Sequence, residues 1–115
     1  MPICTFSCKQ SIAAQLDIDA LIAATKAAIA KVMNVSESSV LISIPSMLAC
    51  SEDDVTLLIL AHDTPERHEN VDSRALAISM AISPLIPTPL YVDIFLGTFG
   101  IASEGKAEEA KLLLD

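Results

Sequence analysis

The sequence predicts an α+β domain in which a β-α-β unit occurs twice. Each half contains a strand, an amphipathic helix and a second strand. The first strands of the two halves begin 52 residues apart, at Ile3 and Val55, and the second strands 50 apart, at Val40 and Leu90. Right-handed crossovers would place both helices on one face of a four-stranded mixed sheet. A length of 115 residues fits a single domain, which we assign to residues 1–115.

The first unit opens with a strand at residues 3–8. Alternation places one set of side chains on a common face: Cys4, Phe6 and Cys8. Asp17 is expected to cap a helix that runs to Met33, because apolar residues recur there at helical spacing. The β-branched run at residues 40–44 predicts the second strand, which Pro45 ends.

The second unit repeats this order. Residues 55–61 are continuously apolar, as in a strand covered on both faces, and residues 62–69 read as a polar loop. A helical stripe over residues 71–82 is apolar almost all round, so we expect this helix to be largely buried. Residues 90–96 form the last main strand. Alternation gives it a face made of Tyr91, Asp93 and Phe95.

Composition limits the partners. Hydrophobic residues make up 52% of the chain and aromatic residues 3%, so the core is aliphatic. The sheet face without helices is also aliphatic, and we expect other copies of the chain to cover it. The net charge of -8, with only 7 Lys and Arg, argues against nucleic acid and anionic membranes as partners. Three prolines interrupt the charge-free stretch between Arg74 and Asp93, which excludes a membrane-spanning helix there.

The cysteines and the N-terminus indicate a cytoplasmic protein. An odd number of cysteines, three, fits reduced thiols. Cys4 and Cys8 lie about 13 Å apart on one strand, too far to form a disulfide or share a metal, so we interpret them as packing residues. The N-terminus lacks the basic and apolar segments of a secretory signal.

Pro2 is the candidate catalytic residue. If Met1 is removed, Pro2 presents a secondary amine at the chain terminus. A free α-amino group has a pKa of about 7.7 to 8.0, and an apolar setting lowers it by disfavouring the charged form. Such an amine acts as a general base near neutral pH. If Met1 is retained, the Pro2 nitrogen is an amide without basicity.

The Met1-Pro2 start running straight into a strand, the duplicated β-α-β layout and the length together resemble the tautomerase superfamily. The resemblance covers residues 2–96 and is nearest to the group of macrophage migration inhibitory factor and D-dopachrome tautomerase. It implies homotrimers whose sheets enclose a channel. It also implies that Pro2 is the base in keto-enol transfer or, when protonated, an acid as in related dehalogenases and decarboxylases. No cofactor or metal is expected.

The resemblance also assigns substrate-binding residues. Tyr91-Val92-Asp93 matches a Tyr-Ile-Asn strand whose Tyr and Asn reach a neighbouring subunit's pocket. An Asp93 carboxylate near the Pro2 amine would raise the pKa of that amine and favour acid chemistry. Two alternatives stay open: Asp93 faces a loop or pairs with a lysine, and Tyr91 is an interface aromatic.

Arg67 and Arg74 are candidate anion binders. Malonate semialdehyde decarboxylase and cis-chloroacrylic acid dehalogenase carry substrate-binding arginines in the loop before the second helix, where Arg67 lies. A guanidinium binds a carboxylate with two parallel hydrogen bonds, so Arg67 is the expected substrate-binding arginine. The alternative is a solvated arginine paired with Glu66 or Glu69.

Three departures from the family pattern leave two functions open. The lysine of the family's Gly-Lys-Pro turn is missing at Asn34-Val35-Ser36, residues 48–54 replace a Gly-, Ser- and Thr-rich loop, and the Asn-Gly-Ser-Thr-Phe ending of the cytokine group is absent. One hypothesis is a Pro2-dependent tautomerase, or a related lyase or hydratase, acting on a small 2-oxo or unsaturated carboxylic acid. The other is a non-catalytic trimeric homologue that has lost the active site.

Overall fold

The computed structural model of the chain describes residues 2–43, 54–97 and 111–113. Residues 48–53, which belong to the segment that replaces a Gly-, Ser- and Thr-rich loop of the family pattern, lie outside these ranges. Within them, none of the helices has the length and apolar character needed to cross a membrane.

The four strands form the predicted mixed sheet. They are β1 (Ile3–Ser7), β2 (Leu41–Ser43), β3 (Val55–His62) and β4 (Leu90–Gly97), and their order in the sheet is β2-β1-β3-β4. The strands of each half are parallel, β1 with β2 and β3 with β4, while β1 and β3 are antiparallel. Two parallel β-α-β units, joined through the antiparallel pair β1 and β3, confirm the duplicated β-α-β topology.

The helices of the described ranges are α1 (Gln10–Ala13), α2 (Ile18–Met33), α3 (Pro65–Glu69) and α4 (Val71–Ile82). The predicted cap of α2 is confirmed, because the Asp17 carboxylate accepts a hydrogen bond from the Ala20 N–H at 3.2 Å. Asn34 ends α2 in the left-handed conformation, with φ of 56°, and its N–H donates to Ala30. A 3₁₀ turn containing Pro84 follows α4, as the helix-breaking proline predicts.

Two short helices were not predicted. Residues 62–69 read as a polar loop, yet α3 forms within them. The Thr64 Oγ1 accepts a hydrogen bond from the Arg67 N–H at 3.2 Å, and Pro65 occupies the first turn, where its missing N–H costs nothing. Thr64 and Pro65 are therefore a helix-start signal in the sequence that the prediction missed.

The two faces of the sheet differ in exposure. One face packs against α2 and α4, and its central side chains are fully buried: Cys4, Phe6, Leu57 and Ile59. On the opposite face Ile3 is 46%, Leu41 49%, Tyr91 55% and Phe95 56% exposed. The alternation predicted for β1 and β4 is thereby confirmed. We call this second surface the open face.

The expectation that α4 is largely buried is wrong. Only Ile78 and Ile82 of α4 are buried, whereas Leu76 and Met80 are 61% and 69% exposed. A helix lying on one side of a sheet contacts it along a single stripe, so apolar residues on its outer side stay in contact with solvent.

Candidate active site

Three segments meet at the edge of the sheet where β1 begins. They are Pro2, the connection from α2 to β2, and the connection from β3 to α4. The Leu41 N–H donates to the Pro2 carbonyl at 3.0 Å, and Ile3 pairs with Leu41 on one side and Leu60 on the other. Continuing this register by one residue places Pro2 between Val40 and Ala61.

The surroundings of Pro2 are apolar. Pro2, Val40 and Ala61 are all almost completely buried, and Val40 and Ala61 belong to the hydrophobic core. Such a setting disfavours the protonated form of an amine at this position. Met1, whose removal would create that amine, lies outside the described residues.

Arg67 lies on the connection next to Pro2. This connection leaves β3 at His62, two residues beyond the Leu60 that pairs with Ile3. The Arg67 guanidinium donates through Nη1 to the His62 carbonyl at 3.0 Å, and its side chain is partly exposed. Glu66, one of the two expected partners of Arg67, has its carboxylate 3.9 Å from the guanidinium of Arg74. Arg67 is therefore positioned by backbone contacts at the same edge of the sheet as Pro2.

Arg74 joins α4 to the other two helices of this region. Its side chain is only 15% exposed, and its Nη1 donates to the Val32 carbonyl in the last turn of α2. Its Nη2 donates to the Glu66 carbonyl in α3 at 3.3 Å. Arg74 thus has protein acceptors on two sides. Both acceptors are backbone carbonyls, which carry no sequence signal.

The turn after α2 lacks the charge that the family pattern has there. Asn34 has the left-handed conformation that suits the glycine of the Gly-Lys-Pro turn, and Val35 follows it, partly buried. The Val35 N–H donates to the Ala30 carbonyl at 3.0 Å, which fixes the turn on the end of α2. An apolar side chain therefore occupies the position that the resemblance gives to a substrate-binding lysine.

Tyr91 and Asp93 are not brought to Pro2 within one chain. Both are exposed on the open face, where Tyr91 pairs with Thr56 and Asp93 with Leu58. Thr56 and Leu58 lie about 17 Å and about 10 Å along β3 from Ala61, which is beside Pro2. Pro2 also lies on the buried face of the sheet, opposite the face that carries Tyr91 and Asp93. Within its own chain, Asp93 is therefore not positioned to change the basicity of a Pro2 amine.

His68 and Asp63 form a further pair of polar groups near this edge. His68 Nδ1 lies 3.8 Å from Asp63 Oδ1, and both side chains are exposed. In the parts of the chain that the structure describes, no group of three His, Cys, Asp or Glu residues has the geometry to hold a metal ion. On β1, burial raises the pKa of the Cys4 thiol to about 12, as suits a packing residue.

The four-stranded mixed sheet with order β2-β1-β3-β4 and two long helices on one face match the tautomerase-like fold. Solved structures with this fold match almost the whole chain. Macrophage migration inhibitory factor from Toxoplasma gondii is 17% identical, with a TM-score of 0.61 over 89% of this chain and 97% of that one.

Two further solved structures match over a similar length. The macrophage migration inhibitory factor from Trichinella spiralis is 12% identical, with a TM-score of 0.56, and the match covers 92% of this chain and 95% of that one. FG41 malonate semialdehyde decarboxylase, solved with the inhibitor 3-bromopropiolate, is 14% identical, with a TM-score of 0.54 and coverage of 98% and 96%. No family model and no curated protein sequence matches the chain. At these identities the comparisons show a shared fold.

Proposed function

We propose that this chain is a Pro2-dependent enzyme that acts as a keto-enol tautomerase, or as a related lyase or hydratase, on a small 2-oxo or unsaturated carboxylic acid. The observation that carries this proposal is the apolar position of Pro2 between Val40 and Ala61, at the sheet edge that also holds Arg67. A base in a desolvated position next to a cation suits proton transfer on a carboxylate substrate.

Each residue has a separate role in the proposed reaction. Pro2, freed by removal of Met1, takes a proton from the carbon beside the substrate carbonyl, and the carbonyl oxygen gains a proton as the enol forms. Arg67 holds the carboxylate through two parallel hydrogen bonds. Tyr91 and Asp93 of a neighbouring copy orient the substrate or protonate it.

We propose a homotrimer as the working form, with residues 1–115 of each copy forming one domain. Two observations support it. The open face exposes large apolar side chains, and assembly with other copies would bury them. Tyr91 and Asp93 lie too far from Pro2 in their own chain to share its substrate. A cytoplasmic location fits the buried free thiol of Cys4.

A second function is a non-catalytic trimeric homologue, and a specific observation favours it. Val35 stands where the resemblance places a substrate-binding lysine, so one charge that would attract a carboxylate is missing. Both hypotheses predict the same assembly. They differ in whether the Pro2 nitrogen reacts.

Ketonisation of phenylenolpyruvate by the wild type and by Pro2→Ala tests the proposal, together with the intact mass of each protein. We expect a wild-type chain without Met1 and a loss of activity of about 100-fold or more in Pro2→Ala, the range attributed to a general base. A processed wild type with no activity, or a variant with undiminished activity, would contradict Pro2 catalysis.

Labelling with 3-bromopropiolate tests the nitrogen directly. This compound inhibits the decarboxylase that shares the fold. A Pro2 amine would attack the bromine-bearing carbon, bromide would leave, and the amine proton would pass to solvent. We expect one covalent adduct on the first residue of the wild type and none there in Pro2→Ala. A processed but unlabelled Pro2 would favour the non-catalytic homologue.

A further inference from the structure

The two connections beside Pro2 belong to different halves of the fold. The turn at Asn34–Ser36 leads from α2 into β2, which lies on one side of β1. The residues after His62 lead from β3 through α3 into α4, on the other side of β1. No backbone ladder joins these two connections, because β1 lies between β2 and β3. Their relative position therefore depends on the ladders that each strand makes with β1 and on contacts made by side chains.

Arg74 supplies such a link. One nitrogen of its guanidinium bonds the Val32 carbonyl, two residues before Asn34, and another bonds the Glu66 carbonyl, one residue before Arg67. The carbonyls at the end of a helix carry partial negative charge and lack partners within the helix, so a cation is favourable at Val32. The fork of an arginine holds two acceptors at once, which the single ammonium of a lysine does less well.

We propose that Arg74 is a positioning residue for the substrate carboxylate. Its guanidinium fixes the end of α2 against α3 and so sets the distance between the Asn34–Ser36 turn and Arg67 on the two sides of Pro2. This inference rests on the proposed function, since it assigns the placement of Arg67 to a second arginine that does not touch the substrate. The missing lysine increases its importance, because more of the carboxylate-binding charge then comes from Arg67.

The test measures the labelling of Pro2 by 3-bromopropiolate. The half-saturating concentration reports on reagent binding, and the maximal rate reports on the reaction of the Pro2 nitrogen. The rate is measured against reagent concentration for the wild type, Arg74→Lys and Arg74→Gln. We expect the half-saturating concentration to rise about tenfold in Arg74→Gln and less in Arg74→Lys, since weakening a charge-assisted hydrogen bond to the carboxylate lowers affinity by about that factor. The maximal rate and its pH profile should stay unchanged, because the surroundings of Pro2 are intact.

Lys31→Gln is the matched control. Lys31 is exposed in the last turn of α2, and its substitution removes one positive charge, as Arg74→Gln does. We expect its half-saturating concentration to equal that of the wild type. A general loss of folded protein would lower the labelled fraction without changing the half-saturating concentration. An unchanged half-saturating concentration in both Arg74 variants would overturn the inference and leave the proposed function standing.

Amide hydrogen exchange provides a readout that needs no activity. The Val35 amide bonds Ala30 and the His68 amide bonds Thr64, so each reports on one connection, while the Leu21 amide, bonded to Asp17, reports on the far end of α2. In Arg74→Gln we expect exchange to rise by about tenfold at Val35 and His68 and to stay unchanged at Leu21. If the wild type shows no Pro2 adduct, the proposed function fails. Hydrogen exchange then tests by itself whether Arg74 links the two connections. No rise at either amide would overturn the link.

Discussion

Leu57 and Leu58 are identical side chains one residue apart on β3, yet they have different surroundings. Leu57 is fully buried between the sheet and the helices, while Leu58 lies on the open face and is partly exposed. A duplicated β-α-β unit supplies helices to only one face of its sheet, although the strands are apolar on both. The difference teaches that one chain completes the packing of one face and leaves the other incomplete.

Alanine substitutions at these two positions give the largest expected difference. Leu57→Ala removes a buried side chain and leaves a cavity, so we expect the free energy of unfolding to fall by about 2–5 kcal/mol. Leu58→Ala should cost less than about 1 kcal/mol in an isolated chain, because Leu58 already contacts solvent there. Urea unfolding measures both values.

Protein concentration sharpens this test. The cost of Leu57→Ala should not depend on concentration, because its contacts lie within one chain. The cost of Leu58→Ala should grow in the range where copies assemble, since assembly stabilises the folded state by mass action. Equal costs at every concentration would mean that both faces are packed within the single chain.

Phe95 tests the open face directly. It is 56% exposed, and an aspartate there would place a charge within any interface that covers this face. We expect light scattering to give three times the 12.2 kDa chain mass for the wild type and the mass of one chain for Phe95→Asp. The circular dichroism spectrum should be unchanged.

Met80→Asp is the control for Phe95→Asp. Met80 is exposed and apolar like Phe95, but it lies on the outer side of α4. We expect Met80→Asp to keep the mass of the wild type. A monomeric wild type, or dissociation by Met80→Asp but not by Phe95→Asp, would remove the open face as the trimer interface.

The main strands and helices were predictable because their signals are local. Alternation grouped Phe6 with Cys4 on one face of β1 and, separately, Phe95 with Tyr91 on one face of β4. The Asp17 cap and the helical spacing after it located α2. The burial of α4 was not predictable in the same way. Its composition is apolar on all sides, and only the packed fold shows that Leu76 and Met80 lie away from the sheet.

The candidate site was predictable only in part, for a related reason. The strand order brings Pro2 and Arg67 to one edge, and both residues had been singled out from the sequence. The grouping of Tyr91 and Asp93 with Pro2 stays a prediction, because a single chain separates them and a second copy would have to supply them. The hydrogen bonds of Arg74 were not predictable from the sequence. Their acceptors are backbone carbonyls, which every residue type has.

The smallest expected effect is on the pH dependence of stability, and it comes from Cys4 on the buried face of the sheet. Burial raises the pKa of its thiol from 9.0 to about 12, so between these values the unfolded chain has lost a proton that the folded chain keeps. Stability therefore falls as the pH rises through this window, by about 1–2 kcal/mol at pH 10. Urea unfolding at pH 7.5 and pH 10 should show a loss larger by that amount in the wild type than in Cys4→Ala. Because the two proteins differ only at Cys4, the contributions of all other groups cancel. Equal losses would mean that water reaches the helix-covered face at Cys4.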